Sequence, residues 1–179
     1  MLTTESALLL VIDFQERLMP AIHRHEELAQ KASAIIKGCR ILDVPILITQ
    51  QYTKGLGDTI QALEDALVEY EPIEKITFSC YGNTDFRNRL NNADKENIIV
   101  TGIEAHICVQ QTVLDLLENG YNVYVIADCI GSRNENDCFY SVRRMEKSSA
   151  VVTTVESALF ELLVRADHPK RKAISELVK

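Results

Sequence analysis

Five short aliphatic runs, Ala7 to Asp13, Pro45 to Thr49, Asn97 to Gly102, Val123 to Ala127 and Ala150 to Thr153, are apolar on nearly every residue instead of every second one. Strands of that kind must be covered on both faces, whereas alternation would mark a sheet with one wet side. Between the runs lie segments with helical spacing: about Glu26 to Leu42, Asp58 to Val68, Thr84 to Asn91, Cys108 to Asn119, Glu135 to Lys147 and Val155 to Val164. Helices between doubly covered strands supply the crossovers that parallel strands require. The pattern therefore predicts an α/β fold, a three-layer α/β/α sandwich around a mostly parallel, Rossmann-like sheet of five or six strands. After Pro169, the Lys170-Arg171-Lys172 run reads as a solvated tail.

A length of 179 residues with 46% hydrophobic content suits one substantial core, so residues 1–179 are expected to form a single domain. The formal net charge of -7 argues against a nucleic-acid or anionic-membrane partner, since both reward clustered Lys and Arg. No apolar run nears the roughly 20 residues that span a bilayer. The apolar stretch at the N-terminus has neither a basic segment before it nor a small-residue cleavage site after it, and it reads as a buried strand. A cytoplasmic protein is expected. The five cysteines, Cys39, Cys80, Cys108, Cys129 and Cys138, are odd in number and contain no C-x-x-C pair, which disfavours disulfides and a thiolate zinc site.

In a doubly covered parallel sheet, ligands sit beyond the carboxyl ends of the strands. Two reactive residue types fall there. Asp13 closes the run Leu8 to Ile12, where a carboxylate is partly desolvated and suited to act as a general base; the alternative is a cap on the turn at Gln15 to Leu18. Cys108 lies between a strand ending at Gly102 and a helical pattern from Val109 to Leu117. A sulfur at a helix N-terminus is biased towards thiolate, which would make it a nucleophile; a small buried residue opening a helix is an equal reading. Lys75, in Glu74-Lys75-Ile76, is by spacing alone an ordinary lysine beside two glutamates.

Three segments, Leu8-Leu-Leu-Val-Ile-Asp13-Phe-Gln15, Glu74-Lys75-Ile-Thr-Phe-Ser79 and Thr101-Gly-Ile-Glu-Ala-His-Ile-Cys108-Val109, resemble in order and spacing the isochorismatase-like hydrolases, a family that includes nicotinamidases. The third segment, with Thr49 to Gly57, is most similar to isochorismatase-domain-containing proteins of unestablished substrate. The resemblance implies a catalytic Asp13-Lys75-Cys108 triad, with Lys75 supporting the thiolate and Asp13 taking and returning its proton. It also implies a cis peptide at Ile103-Glu104, and an oxyanion hole formed by the Glu104 and Cys108 N–H groups. Family members that cleave a vinyl ether lack the cysteine, so Cys108 points to acyl transfer on a small amide or related substrate through a thioester.

The chain departs from its metal-binding relatives, which carry an Asp-x-His element where this sequence has Thr49-Gln50-Gln51-Tyr52. No metal and no cofactor are expected, and nicotinamide is disfavoured as the substrate. Gln51 and Tyr52 are candidates for the substrate pocket, with loop packing as the alternative. Gln15, a further pocket candidate, matches a glutamine that the family usually keeps two residues after its aspartate, which implies that it holds Asp13 in orientation by hydrogen bonding; a surface loop residue is the alternative. His106 is expected to line the pocket or face solvent, while His23 and His25 read as solvated. Gly55-Leu56-Gly57 lacks the third glycine of a dinucleotide fingerprint. Cys39 and Cys138 fall in helices, and Cys80 and Cys129 in loops, where either could be a second thiol near the site. A homo-oligomer is implied by the resemblance. Two rival functions stay open: a binding protein that keeps the pocket without turnover, and a thiol redox protein.

Overall fold

The computed structural model describes residues 1–179, and the first aliphatic run becomes β1 (Ala7–Ile12), every residue of which is buried. Chain order continues with α1 (His25–Ile41), β2 (Ile46–Gln51), α2 (Thr53–Leu56), α3 (Gln61–Leu67), β3 (Ile73–Lys75), α4 (Thr84–Ala93) and β4 (Asn97–Ile103). It ends with α5 (Gln110–Glu118), β5 (Asn122–Gly131), α6 (Glu135–Lys147), β6 (Val151–Thr153), α7 (Val155–Leu163) and α8 (Arg171–Leu177). The six strands form one sheet in the order β3-β2-β1-β4-β5-β6, and every neighbouring pair is parallel. The expected α/β/α sandwich is thus the observed fold.

Period-two geometry divides β1 between the two layers. Ala7, Leu9 and Val11 pack with residues of α1, α3, α7 and α8. Leu8, Leu10 and Ile12 pack with Phe86 and Leu90 of α4, Val113 and Leu116 of α5 and Met145 of α6. Both faces of the strand lack water, which is why it carries no alternation. No helix is long and apolar enough to cross a membrane.

Three expectations need correction. The strand β3 was not anticipated: with Ile73 and Lys75 buried and Glu74 exposed, its only apolar residue is Ile73, and three residues are too few for a pattern. The fourth run does not stop at Ala127. A register shift opposite Val100 to Gly102 lets β5 resume pairing, Gly102 with Ile130 and Ile103 with Gly131. Cys129 therefore lies in a strand, not a loop, and its side chain joins the layer of α1 and α7. The stretch after Pro169 is not a free tail: α8 buries Ile174, and the Lys170 ammonium pairs with Asp43 at 2.5 Å.

Between β1 and β4 the sheet reverses its direction of growth, and the loops leaving the two strands diverge. Such a switch point opens a crevice at the carboxyl edge. Close approach here demands glycine. A Cβ on Gly102, whose φ is 153°, would stand 2.5 Å from the Ile12 Cβ and 2.7 Å from the Ile12 carbonyl oxygen.

Candidate active site

Asp13 follows the last residue of β1 in a left-handed backbone conformation, with φ at 56°. Asp is among the few residues that adopt this conformation readily. Continued alternation would send its carboxylate towards α1. The kink ends the alternation, and the side chain lies instead with Thr49 and Lys75. The Thr49 hydroxyl donates to Asp13 Oδ1 at 2.7 Å and Lys75 Nζ to Asp13 Oδ2 at 2.6 Å. Neither side chain of the Asp13–Lys75 pair is exposed to solvent.

Lys75 ends β3, two strands from β1, and its long stem spans the end of β2 to reach Asp13. Besides the carboxylate it donates to Gln51 Oε1 at 2.7 Å and to the carbonyls of Thr77 and Phe78 at 3.3 and 3.2 Å. Burial acts to lower its pKa, yet the Asp13 carboxylate and the thiols of Cys80 and Cys108 outweigh that and raise it above the usual lysine value. The ammonium is therefore held charged within the fold.

Cys108 sits in a π-helical turn, Ala105–Val109, that leads into α5, and it is 7% exposed. The Glu104 carbonyl accepts from the amides of Ile107 and Val109 and skips that of Cys108 between them. The Ile103–Glu104 peptide just before this turn is cis. Burial, then the negative charge of Asp13, push the Cys108 thiol well above the ordinary cysteine range, although Lys75 pulls the other way. This corrects the expectation of a resting thiolate at a helix N-terminus. Desolvation beside a carboxylate works against the favourable end of α5 and favours the protonated sulfur.

A strut not visible in the sequence joins the turn of Cys108 to the loop of Lys75. The Thr112 hydroxyl donates to the Cys108 carbonyl at 2.7 Å and accepts from the Cys80 amide at 2.9 Å. Ser79 Oγ donates to Asp115 on α5 at 2.5 Å, a second tie between the same two segments. Cys80 is fully buried beside Thr49, and burial pushes its thiol up to about 11. Of the two loop cysteines considered near the site, only Cys80 borders it. Thr49 is the one of these that position alone points to, because it lies near the carboxyl end of β2.

The other expected pocket residues are placed differently. Gln15 is fully buried and its amide bonds no atom of the Asp13 side chain. It donates to the carbonyls of Gln51 and Gly57 at 3.0 and 2.7 Å and accepts from the Gln51 amide at 2.7 Å. It fastens the loop after β2 to β1, with no group left over for a ligand. Gln51 touches Lys75 and donates to the Ile76 carbonyl at 2.8 Å. Tyr52 is exposed and its ring shields Gly55. His106 Nδ1 hydrogen-bonds Ser132 at 2.9 Å, so that ring nitrogen is committed away from the sulfur. Glu104 is nearly buried and accepts from the Arg133 amide and Nε at 3.2 and 3.0 Å. His23 is exposed, and no group of three or more His, Cys, Asp or Glu residues is arranged to hold a metal ion. A cavity of about 510 Å³, bordered by Ser6, Glu96 and Tyr121, lies at the opposite, amino edge of the sheet.

Comparison with known proteins adds to this geometry. The isochorismatase domain family matches residues 7–157. The chain is 37% identical over 183 residues to isochorismatase family protein 1A of Dictyostelium discoideum, covering 98% of this chain and 87% of that one. Among solved structures, the MAR1 ribonuclease from Caenorhabditis elegans superposes with a TM-score of 0.93 at 35% identity, covering 99% of this chain and 91% of that chain. The YcaC gene product of Escherichia coli, described as an octameric hydrolase of unknown specificity, shares the fold with a TM-score of 0.89 at 22% identity, covering 98% and 86% of the two chains.

Proposed function

The chain belongs to the isochorismatase family, and from that premise we propose that it hydrolyses a small amide or related acyl compound through a thioester on Cys108, with Asp13 and Lys75 completing the catalytic set. One observation carries the reading: a solvent-free Asp13–Lys75 ion pair at the carboxyl edge of the sheet, facing a thiol. A buried ion pair is a poor source of stability, because desolvation offsets its attraction, and its retention at a ligand-binding edge has a ready account in chemistry.

In the mechanism, Asp13 accepts the Cys108 proton as Sγ attacks the carbonyl carbon, so no free thiolate is needed beforehand. Lys75 stays protonated and offsets the negative charge that passes from carboxylate to sulfur and on to the carbonyl oxygen. The amides of Glu104 and Cys108 donate to that oxygen; each such donor typically contributes about 3 kcal/mol to lowering the barrier. The tetrahedral intermediate collapses, Asp13 gives its proton to the departing amine, and the acyl group remains on sulfur. Water, deprotonated by Asp13, then attacks the thioester, releasing the acid and restoring the thiol. Thr49, by donating to Oδ1, keeps the carboxylate oriented for both transfers.

The test is ammonia release from a panel of small primary amides by wild type, Cys108→Ala and Asp13→Asn, with a trapped acyl–Cys108 adduct sought by mass spectrometry. Release that vanishes in both variants, together with the adduct, supports the reading. Unchanged release in Cys108→Ala, or none from any amide, overturns it. Because a relative carries the name ribonuclease, RNA cleavage belongs in the same assay as a control. Non-reducing mass spectrometry, seeking a disulfide to Cys108, addresses the redox alternative. A homo-oligomer is proposed too, by likeness to the octameric relative, and sedimentation velocity measures it.

A further inference from the structure

Arg17 and Arg133 project into one cavity of about 370 Å³, whose other walls are Leu18, Ala21, Ile22 and Glu104. The cavity is built from the loops that leave β1 and β4–β5, so it occupies the switch-point crevice where this sheet type takes its ligands. Its volume is that of a small-molecule site. Two guanidinium groups face a single carboxylate, a local excess of positive charge in a chain whose formal net charge is -7.

The arginines are not used up by their protein partners. Arg17 gives Nη1 to the Gly55 carbonyl at 2.8 Å, and Arg133 gives Nε to Glu104 at 3.0 Å. The Arg133 side chain remains 63% exposed, and its two terminal nitrogens have no partner in the protein. The Glu104 carboxylate thus anchors one edge of the guanidinium and leaves the fork free for a planar anion. Leu18, Ala21 and Ile22 offer an apolar wall for a few methylene groups. Glu104 borders two regions at once: its side chain lies on the cavity, and its main chain leads into the turn of Cys108.

We infer that Arg17 and Arg133 form a carboxylate-binding subsite, and that the substrate is a short amide whose far end carries a carboxylate. The inference rests on the hydrolase reading for the amide half of the ligand, whereas the anion half stands on the cavity alone. The positive crevice would also draw an anionic substrate towards an otherwise acidic molecule.

Binding and turnover separate the two halves. Calorimetric titration of Cys108→Ala with glutaramate, and with the methyl ester of glutaramate as its neutral counterpart, measures recognition without chemistry. The expected result is at least tenfold tighter binding of glutaramate, a preference that collapses to within twofold in Arg17→Met and in Arg133→Met made on the same background. Arg17→Lys and Arg133→Lys should recover part of it. Equal binding of the two compounds, binding of neither, or a preference untouched by both methionine substitutions overturns the subsite. Ammonia release by the wild-type protein is scored separately. Arginine-dependent binding of glutaramate, with no ammonia released from it or from any amide of the panel, leaves the subsite standing and removes the amidase reading. Hydrolysis of neutral amides with no anion preference does the reverse.

Discussion

Lys75 Nζ lies 2.6 Å from Asp13 Oδ2, and no part of either side chain reaches solvent. Removing one partner leaves a desolvated charge, a loss of about 3–5 kcal/mol in comparable pairs, while removing both is far milder. Lys75→Met should therefore destabilise the protein by that amount in urea unfolding. Adding Asp13→Asn, which tolerates the left-handed backbone at this position, should restore at least about 1 kcal/mol of it. Ammonia release should behave oppositely, falling by about 10²–10⁴-fold in Asp13→Asn and showing no recovery in the double variant.

Thiol chemistry provides an independent check. Because burial and Asp13 hold the Cys108 thiol above its ordinary range, alkylation of Cys108 by iodoacetamide should rise about tenfold per pH unit from pH 7 to pH 9. Asp13→Asn removes a charge that favours the protonated form, so labelling should accelerate. Lys75→Met removes the opposing cation, so labelling should slow. Peptide mass spectrometry resolves Cys108 from the partly exposed Cys138. A Lys75→Met protein that labels faster than wild type would show that the ammonium does not act on this sulfur.

Alkaline pH should weaken the fold before it affects most side chains. Burial pushes the Cys39 thiol up to about 12 and the Cys80 thiol up to about 11, against an ordinary value near 9. Between the unfolded and folded values the native state binds more protons than the unfolded state, so stability is complete below about pH 9 and falls as pH rises. The slope is about 1 kcal/mol per pH unit for each such thiol. Urea midpoints measured at pH 8, 9 and 10 should drop, and the drop should be shallower in Cys39→Ala.

Gly102→Ala tests the close approach of β1 and β4. The added methyl group meets the backbone of Ile12, which cannot swing aside, in a conformation unsuited to an L side chain. A loss of about 2 kcal/mol or more is expected from such backbone strain and overpacking. Ammonia release should also fall, since Asp13 follows Ile12 directly and the turn of Cys108 begins three residues after Gly102.

The unbroken aliphatic character of Leu8 to Ile12 made the layered fold legible, and it placed Asp13 and Cys108 at one edge before any coordinates. Lys75 was not legible from spacing. Its strand is three residues long, and its burial depends on a carboxylate 62 positions away; only resemblance to known hydrolases singled it out. Thr112 escaped notice because a hydroxyl one turn into an amphipathic helix looks like any other, and its partners lie on two different segments. Resemblance to the family assigned Gln15 to orienting Asp13, whereas its amide is spent on the backbone of Gln51 and Gly57. Arg17 and Arg133 were also missed, since a cavity formed by two loops leaves no periodic trace.

The first strand also sets a schedule for synthesis. β1 forms the middle of the sheet, with β2 on one side and β4 on the other, and Leu9, paired with Ile46 on β2, finds its second partner only at Ile99. On a ribosome, a fully apolar segment is thus made well before β4 and waits, one edge unpaired, until that strand has emerged. Long-range parallel pairing is slow, and an open hydrophobic edge invites association with other nascent chains. Yield in cells should therefore depend on chaperone supply and elongation speed more than the stability of the finished molecule would suggest.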